Sequence, residues 1–288
     1  MALPVLYICI GIIAVTGTVT NTLSLSYFIR KAKRTLTNRI FIFLNVFDLL
    51  VCIFDAAMVS FHYCGGPFCG KRKPLFRMFL ALTEFSIEST AFATCLLSVT
   101  RTVLLCFPFY SICRKAVGMA GLVFCALEVL RFLLRLYFYY LWDSAPAFYV
   151  NTLDNGIMIV FLSVVILINL VSCILSSWKL RNRRKNLRVA PVNDDKQAPR
   201  ANAKQKATVT ILLLSIFFCF FNTIYCITWY FTIFRRSVHL LNIIPVMMLY
   251  RVCFWLSIPL NSAINPIIYL IRKKDMRRYI KDIIPKVL

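Results

Sequence analysis

Residues 156–178 read GIMIVFLSVVILINLVSCILSSW, a run without a single charged side chain that is followed at once by Lys179. At a helical rise of about 1.5 Å per residue, a run of this length covers a hydrocarbon core of about 30 Å. In lipid every backbone amide must be bonded within its own segment, so the run is expected to be a helix. Similar runs recur at residues 3–29, 40–61, 75–106, 116–140, 208–231 and 244–271. Hydrophobic residues make up 60% of the 288, against about 45–50% apolar in soluble domains. The expected architecture is therefore all-α, a bundle of seven transmembrane helices. The first run is too long for a cleaved leader, and Arg30-Lys31-Ala32-Lys33-Arg34 follows it as a stop-transfer flank would.

The formal net charge of +23 invites a nucleic-acid reading, which its distribution rejects. Of 34 Lys and Arg, 24 fall in residues 30–39, 114–115, 179–206 and 272–288, which are alternate connections plus the tail. Basic residues collect on the cytoplasmic side of membranes. An extracellular N-terminus and a cytoplasmic C-terminus follow, as an odd number of spans requires, and the basic face is expected to attract anionic inner-leaflet lipids.

Most of the twelve cysteines lie inside spans, where a reduced thiol is a small apolar group. Only Cys64 and Cys69 share an outer loop, where a local disulfide is chemically allowed. Residues 179–206 contain Pro191, Asp194-Asp195 and Pro199 between basic flanks and read as a flexible cytoplasmic loop. Residues 272–288 carry Met276, Tyr279, Ile280, Ile283 and Ile284 at helical spacing among cations. That pattern predicts a short amphipathic helix on the membrane surface.

Acids and amides inside a membrane are costly and mark function by default. Here they are Asn21, Asp48 within Leu44–Asp48, the segment Ser98-Val99-Thr100-Arg101, and Asn261-Ser262-Ala263-Ile264-Asn265-Pro266-Ile267-Ile268-Tyr269. In this combination and order the chain resembles the rhodopsin-like (class A) G-protein-coupled receptors over all seven spans. Asn265-Pro266 and Tyr269 look like the family's NPxxY segment, with Met276 opening its eighth helix. Asp48 looks like the acid of the second span, Asn21 like the amide of the first, and Arg101 like the arginine of the DRY motif. The resemblance implies a sodium pocket of Asp48, Thr90, Asn261, Ser262 and Asn265, one carboxylate among neutral oxygens suited to a hard cation. It also implies an activation switch built from Thr100, Arg101, Phe220, Asn265, Pro266 and Tyr269.

The departures from the family pattern are specific. Thr100 replaces the acid beside Arg101, and Asn202 stands at the position of the acid at the base of the sixth span. Cys219-Phe220-Phe221-Asn222 stands where the family has CWxP, so Phe220 takes the toggle position and the proline is missing. Phe76 occupies the place of the cysteine that tops the third span. Pro259 stands where an opsin carries its retinal lysine, which excludes a light sensor. Such gaps suggest a divergent branch similar to invertebrate chemosensory receptors.

Glu84 and Glu88 lie four apart on the third span, as do Arg131 and Arg135 on the fourth, with Glu128 nearby. Counting inward from the span ends brings the two sets to similar depth. Two readings stay open: interhelical ion pairs that fix packing, or a ligand pocket comprising Thr83, Glu84, Glu88, Arg131, Arg251 and Trp255. The expectation is a multi-pass plasma-membrane receptor, not an enzyme, which takes an extracellular small molecule or peptide and activates a heterotrimeric G protein. The rivals are a seven-span transporter or channel using Asp48, Glu84 and Glu88, and a decoy receptor that does not signal.

Overall fold

A computed structural model describes residues 2–32, 35–63, 74–107, 114–140, 145–189, 197–237 and 244–287. Among them the chain forms eight helices and no strand: α1 Ala2–Arg30, α2 Leu36–Tyr63, α3 Pro74–Cys106, α4 Arg114–Tyr140, α5 Ala145–Val189, α6 Gln197–Ser237, α7 Ile244–Arg272 and α8 Lys274–Val287. Six are long and apolar enough to cross a membrane, over Val5–Arg30, Leu36–Met58, Met78–Cys106, Val117–Tyr137, Leu153–Asn182 and Ala207–Thr228. The chain is a multi-pass helical membrane protein.

Its surface is inverted relative to a soluble fold. On α5 the exposed residues Leu153, Ile157, Val160, Val164, Leu167, Val171, Ile174 and Trp178 step by three and four along one face. Exposed Val5, Ile8, Ile12, Val15 and Val19 do the same on α1. The interior of the bundle buries Asn21, Asp48, Glu88, Asn169 and Asn265. In water so continuous an apolar exterior would be an interaction surface; in lipid it is the solvated face.

α3 is the hub, in contact with α2, α4, α5 and α6, while α1 and α6 both pack on α7. α4 packs on α3 and α5. α1 lies close against α2 and α7 at Gly17, where a Cβ would lie 2.5 Å from Cys52 Sγ and 3.1 Å from Ala263 Cβ. A larger residue there displaces the Cys52 side chain and crowds α7. Pro266 lies inside α7 and has no N–H to give the carbonyl four residues back. That carbonyl, of Ser262, instead accepts from Asn21 Nδ2 at 3.1 Å. The amide in α1 therefore repairs the gap that the proline opens in α7.

Two boundaries differ from the sequence reading. The loop expected over 179–206 is helical as far as Val189 and again from Gln197. Lys, Arg, Leu, Ala and Gln are good helix formers, so the basic flanks extend α5 and α6 beyond the apolar runs. Pro199 falls in the first turn of α6, where its missing N–H has no partner to lose. Pro191 and Asp194-Asp195 lie outside the described residues. The tail helix α8 forms as its spacing predicts, and it is docked. Met276 and Tyr279 are buried against Tyr27, Phe28 and Tyr269, and Tyr279 Oη and Ser26 Oγ share a hydrogen bond of 2.7 Å.

Candidate functional site

Three helices converge on Asp48. Its carboxylate is fully buried; Asn265 Nδ2 of α7 donates to Oδ2 at 2.7 Å and Thr90 Oγ1 of α3 donates to Oδ1 at 3.3 Å. Ser262 is a third hydrogen-bonding neighbour. Asn261 Oδ1 is buried with no hydrogen-bond partner among the described residues. Asn261, Ser262 and Thr90 line a cavity of about 10 Å³ with Val51, Ile87, Phe221, Asn222, Tyr225, Ser257 and Ile258, room for about one water-sized guest. One carboxylate, two hydroxyls and an amide oxygen are a donor set that fits a hard monovalent cation. Asn265 differs from the expectation, because it turns a donor toward Asp48 and so steadies the carboxylate instead of offering an oxygen.

Tyr269, fully buried, points toward α1 and α2, with its ring edge-on to Phe28 at 5.6 Å and Phe41 at 4.9 Å. Just beyond α7, Lys273 Nζ lies 4.2 Å and 4.7 Å from the centroids of the same two rings. Burial lowers the Lys273 ammonium to about 8, and Asp275 opposes the shift; the two ring faces favour the charged form as well.

Arg101, near the C-terminal end of α3, donates from Nε to Thr208 Oγ1 of α6 at 3.1 Å. It heads a seam of hydroxyls between α3, α5 and α6. Ser98 Oγ donates to Asn169 Oδ1 at 2.6 Å and hydrogen-bonds Ser215 Oγ. Thr102 Oγ1 meets Ser176 Oγ at 3.0 Å. Thr100 is buried beside this seam. Phe220 corrects the sequence reading: it is 58% exposed and faces outward, because one residue on a helix turns the side chain by about 100°. Phe221 lines the cavity in its place.

The charged residues of α3 and α4 do pair, which decides one of the two open readings in favour of ion pairs. Arg131 Nη1 lies 2.9 Å from Glu88 Oε1, and Arg135 Nη2 lies 2.8 Å from the same oxygen. Arg135 Nε is 3.6 Å from Glu84 Oε2. The sequence reading missed Asp154, whose Oδ1 meets Arg131 Nε at 2.6 Å and whose Oδ2 meets Arg135 Nε at 2.5 Å. Asp154 stands two residues ahead of the uncharged run, where an acid looks like the start of a loop. Its one distinguishing signal is the lack of any other acid near that end of the run. Asp55 was also missed: it is 2% exposed, and neither oxygen has a hydrogen-bond partner among the described residues.

The remaining ligand candidates do not form one pocket in what is described. Thr83 is buried, and its hydroxyl bonds back to Phe79 O at 3.0 Å. Trp255 is partly buried on α7, and the side chain of Arg251 lies outside the described residues. Cys64 and Cys69 lie outside them as well. Comparison with known proteins finds no matching family model and no matching curated protein.

Proposed function

We propose that this chain is a rhodopsin-like G-protein-coupled receptor with seven spans, α7 being the seventh, and with its C-terminus in the cytoplasm of a plasma-membrane protein. The observation that carries this reading is the junction at Asp48. Thr90, Asn265 and Asp48 are far apart in the chain, yet two of them donate to the third. These are the partners that the resemblance assigns to one another. Further support comes from Arg101 facing α6 and from α8 docking beside Tyr269. The basic connections between alternate spans would line the G-protein side and meet anionic lipid headgroups.

In this reading an extracellular small molecule or peptide favours a state in which the inner end of α6 leaves α3. What must break is the contact of Arg101 with Thr208 and of Ser98 with Ser215; Arg101 then turns to the G protein. Sodium, where bound, would be held by Asp48, Thr90, Ser262 and Asn261 and would favour the packed state.

The test is second-messenger output against a panel of G proteins, normalised to receptor at the cell surface. Output is expected from the wild type and none from Arg101→Ala. If no G protein responds to any agonist screened or to the wild type alone, the decoy reading replaces this one. A second reading, a transporter moving protons or cations, draws on buried Asp55 and on the excess of acids among α3, α4 and α5. Flux into liposomes, lost in Asp55→Asn, would favour it.

A further inference from the structure

Among the described residues six acidic and basic side chains meet where α3, α4 and α5 pack, and four of them are acids. Glu88 Oε1 accepts from both arginines at 2.9 and 2.8 Å. Asp154 accepts from both Nε atoms at 2.6 and 2.5 Å. These two carboxylates and two guanidiniums already form a closed, neutral ring. Glu84 joins its edge, 3.6 Å from Arg135, and Glu128, 3.9 Å from Arg131, is surplus to it. An uncompensated carboxylate in a water-poor interior is costly.

The geometry around Glu128 shows how one surplus charge is relieved. Glu88 is wholly buried and Glu128 is 7% exposed. Each keeps one oxygen, Oε2, with no hydrogen-bond partner among the described residues. The two carboxyl groups converge on one nitrogen, Arg131 Nη1, with Glu88 Oε1 at 2.9 Å and Glu128 Oε1 at 3.9 Å, which brings them within reach of each other. As two anions they would repel and leave both oxygens unsatisfied. One proton removes a charge and satisfies both oxygens at once.

We propose that Glu128 and Glu88 share a single proton, Glu128 carrying it and donating to Glu88 Oε2, so that this cluster is a proton-binding site. The groups that face Glu128 are Glu88 from α3 and Cys125, Arg131 and Arg135 from α4; Glu84 of α3 and Asp154 of α5 stand against the same two guanidiniums. Asp154 is the second residue of its apolar span and its side chain is 17% exposed, so the proton's exit lies at the end of α5's membrane crossing. Release breaks one O–H bond, leaves the electron pair on Glu128 as carboxylate and delivers the proton to solvent. The cluster then gains one negative charge, and Glu128 is repelled from Glu88. α4 presents mostly outward-facing apolar residues and is seated on α3 by this cluster together with the ring contacts Phe124–Phe92 and Phe132–Phe85. Proton occupancy therefore adjusts one of the two attachments that hold α4. The site stands independently of the receptor reading.

The test uses the full chain in lipid nanodiscs, with the proton itself as the ligand. Infrared difference spectra between about pH 5 and about pH 9 should contain a protonated-carboxyl band that shifts in heavy water and moves with 13C-labelled glutamate. The band should be lost in Glu128→Gln and retained in Glu84→Gln. Wild type should melt several degrees lower at the alkaline end, because its folded state holds a proton that the unfolded chain has already released. Glu128→Gln, whose amide N–H can donate to Glu88 Oε2, should show less of that decline. A band that survives in Glu128→Gln, or an unchanged pH dependence of melting, overturns the proposal. Should that variant not fold, labelled wild type still decides: without a glutamate band there is no shared proton.

Discussion

α3 supports two different chemistries along its length. Toward its N-terminus Glu84 and Glu88 hold the arginines of α4 at distances down to 2.8 Å, and the same arginines hold Asp154 of α5. Toward its C-terminus Ser98, Arg101 and Thr102 meet α5 and α6 through neutral hydroxyls and one charge-assisted bond. The energetic difference is large. Removing one partner of a buried ion pair costs about 3–5 kcal/mol, whereas a neutral hydrogen bond contributes about 1 kcal/mol net. A helix pinned firmly at one end and lightly at the other can separate from α6 without losing α4. The comparison teaches where this bundle is a clamp and where it is a latch.

The strongest challenge to that contrast is Arg135→Met, which leaves Glu88 and Asp154 to share the one guanidinium of Arg131 and should destabilise by about 3–5 kcal/mol. In a Glu88→Gln background the same substitution should cost measurably less. Additive losses in that cycle, read by chemical denaturation in nanodiscs, would mean that the clamp is not cooperative.

The Asp48 junction lies between the two regions. If it holds sodium, saturation at about a hundredfold over the dissociation constant should stabilise the fold by about 2.7 kcal/mol. Sodium compared with a large organic cation reads this out, and Asp48→Asn should abolish the difference. No sodium-specific shift in the wild type would remove the ion.

The splice at Pro266 should be intermediate. Asn21→Ala leaves the Ser262 carbonyl without its donor and should cost about 1–3 kcal/mol. In a Pro266→Ala background a backbone N–H returns to that carbonyl, so the loss should shrink. An equal loss in both backgrounds would show that Asn21 acts through packing alone.

The latch should yield less. Ser98→Ala and Ser215→Ala should each cost about 1 kcal/mol, and neither should approach the Arg135 effect. In the proposed receptor, both should raise output without agonist at unchanged surface expression. A loss as large as that of Arg135→Met would erase the distinction between clamp and latch.

The junction of α7 and α8 is tested through pH. Burial lowers Lys273 to about 8, so the unfolded state binds its proton more tightly than the folded one. Stability from this group should therefore rise with pH between about 8 and the ordinary lysine value of about 10.4. Lys273→Met should flatten that limb of the melting profile; an unchanged limb would assign it to other groups.

Hydrophobic runs and basic flanks were legible because lipid imposes length and charge rules on a segment regardless of its neighbours. The α8 pattern was legible for a similar reason: an amphipathic helix carries its two faces in its own spacing. Asp48 and Asn265 could be named because a polar residue amid apolar ones stands out, and Thr90 because the resemblance, counted back from Arg101, implies it. Arg131 and Arg135 could be paired with α3 because depth along adjacent helices can be counted.

What a segment cannot encode is its rotation about its own axis or the identity of a partner on a distant helix. Phe220 was misjudged for want of the rotation, since one position along α6 separates lipid from interior. Asp154 was missed because its role exists only where α5 brings it against two guanidiniums. The surplus of acids in that cluster is likewise invisible along the chain, where Glu84, Glu88, Glu128 and Asp154 stand on three separate helices. The sequence by itself determined that these charges enter the membrane-spanning helices; the tertiary packing alone decided which of them meet, because Coulomb interactions in a water-poor interior depend on distances that only the packed bundle sets.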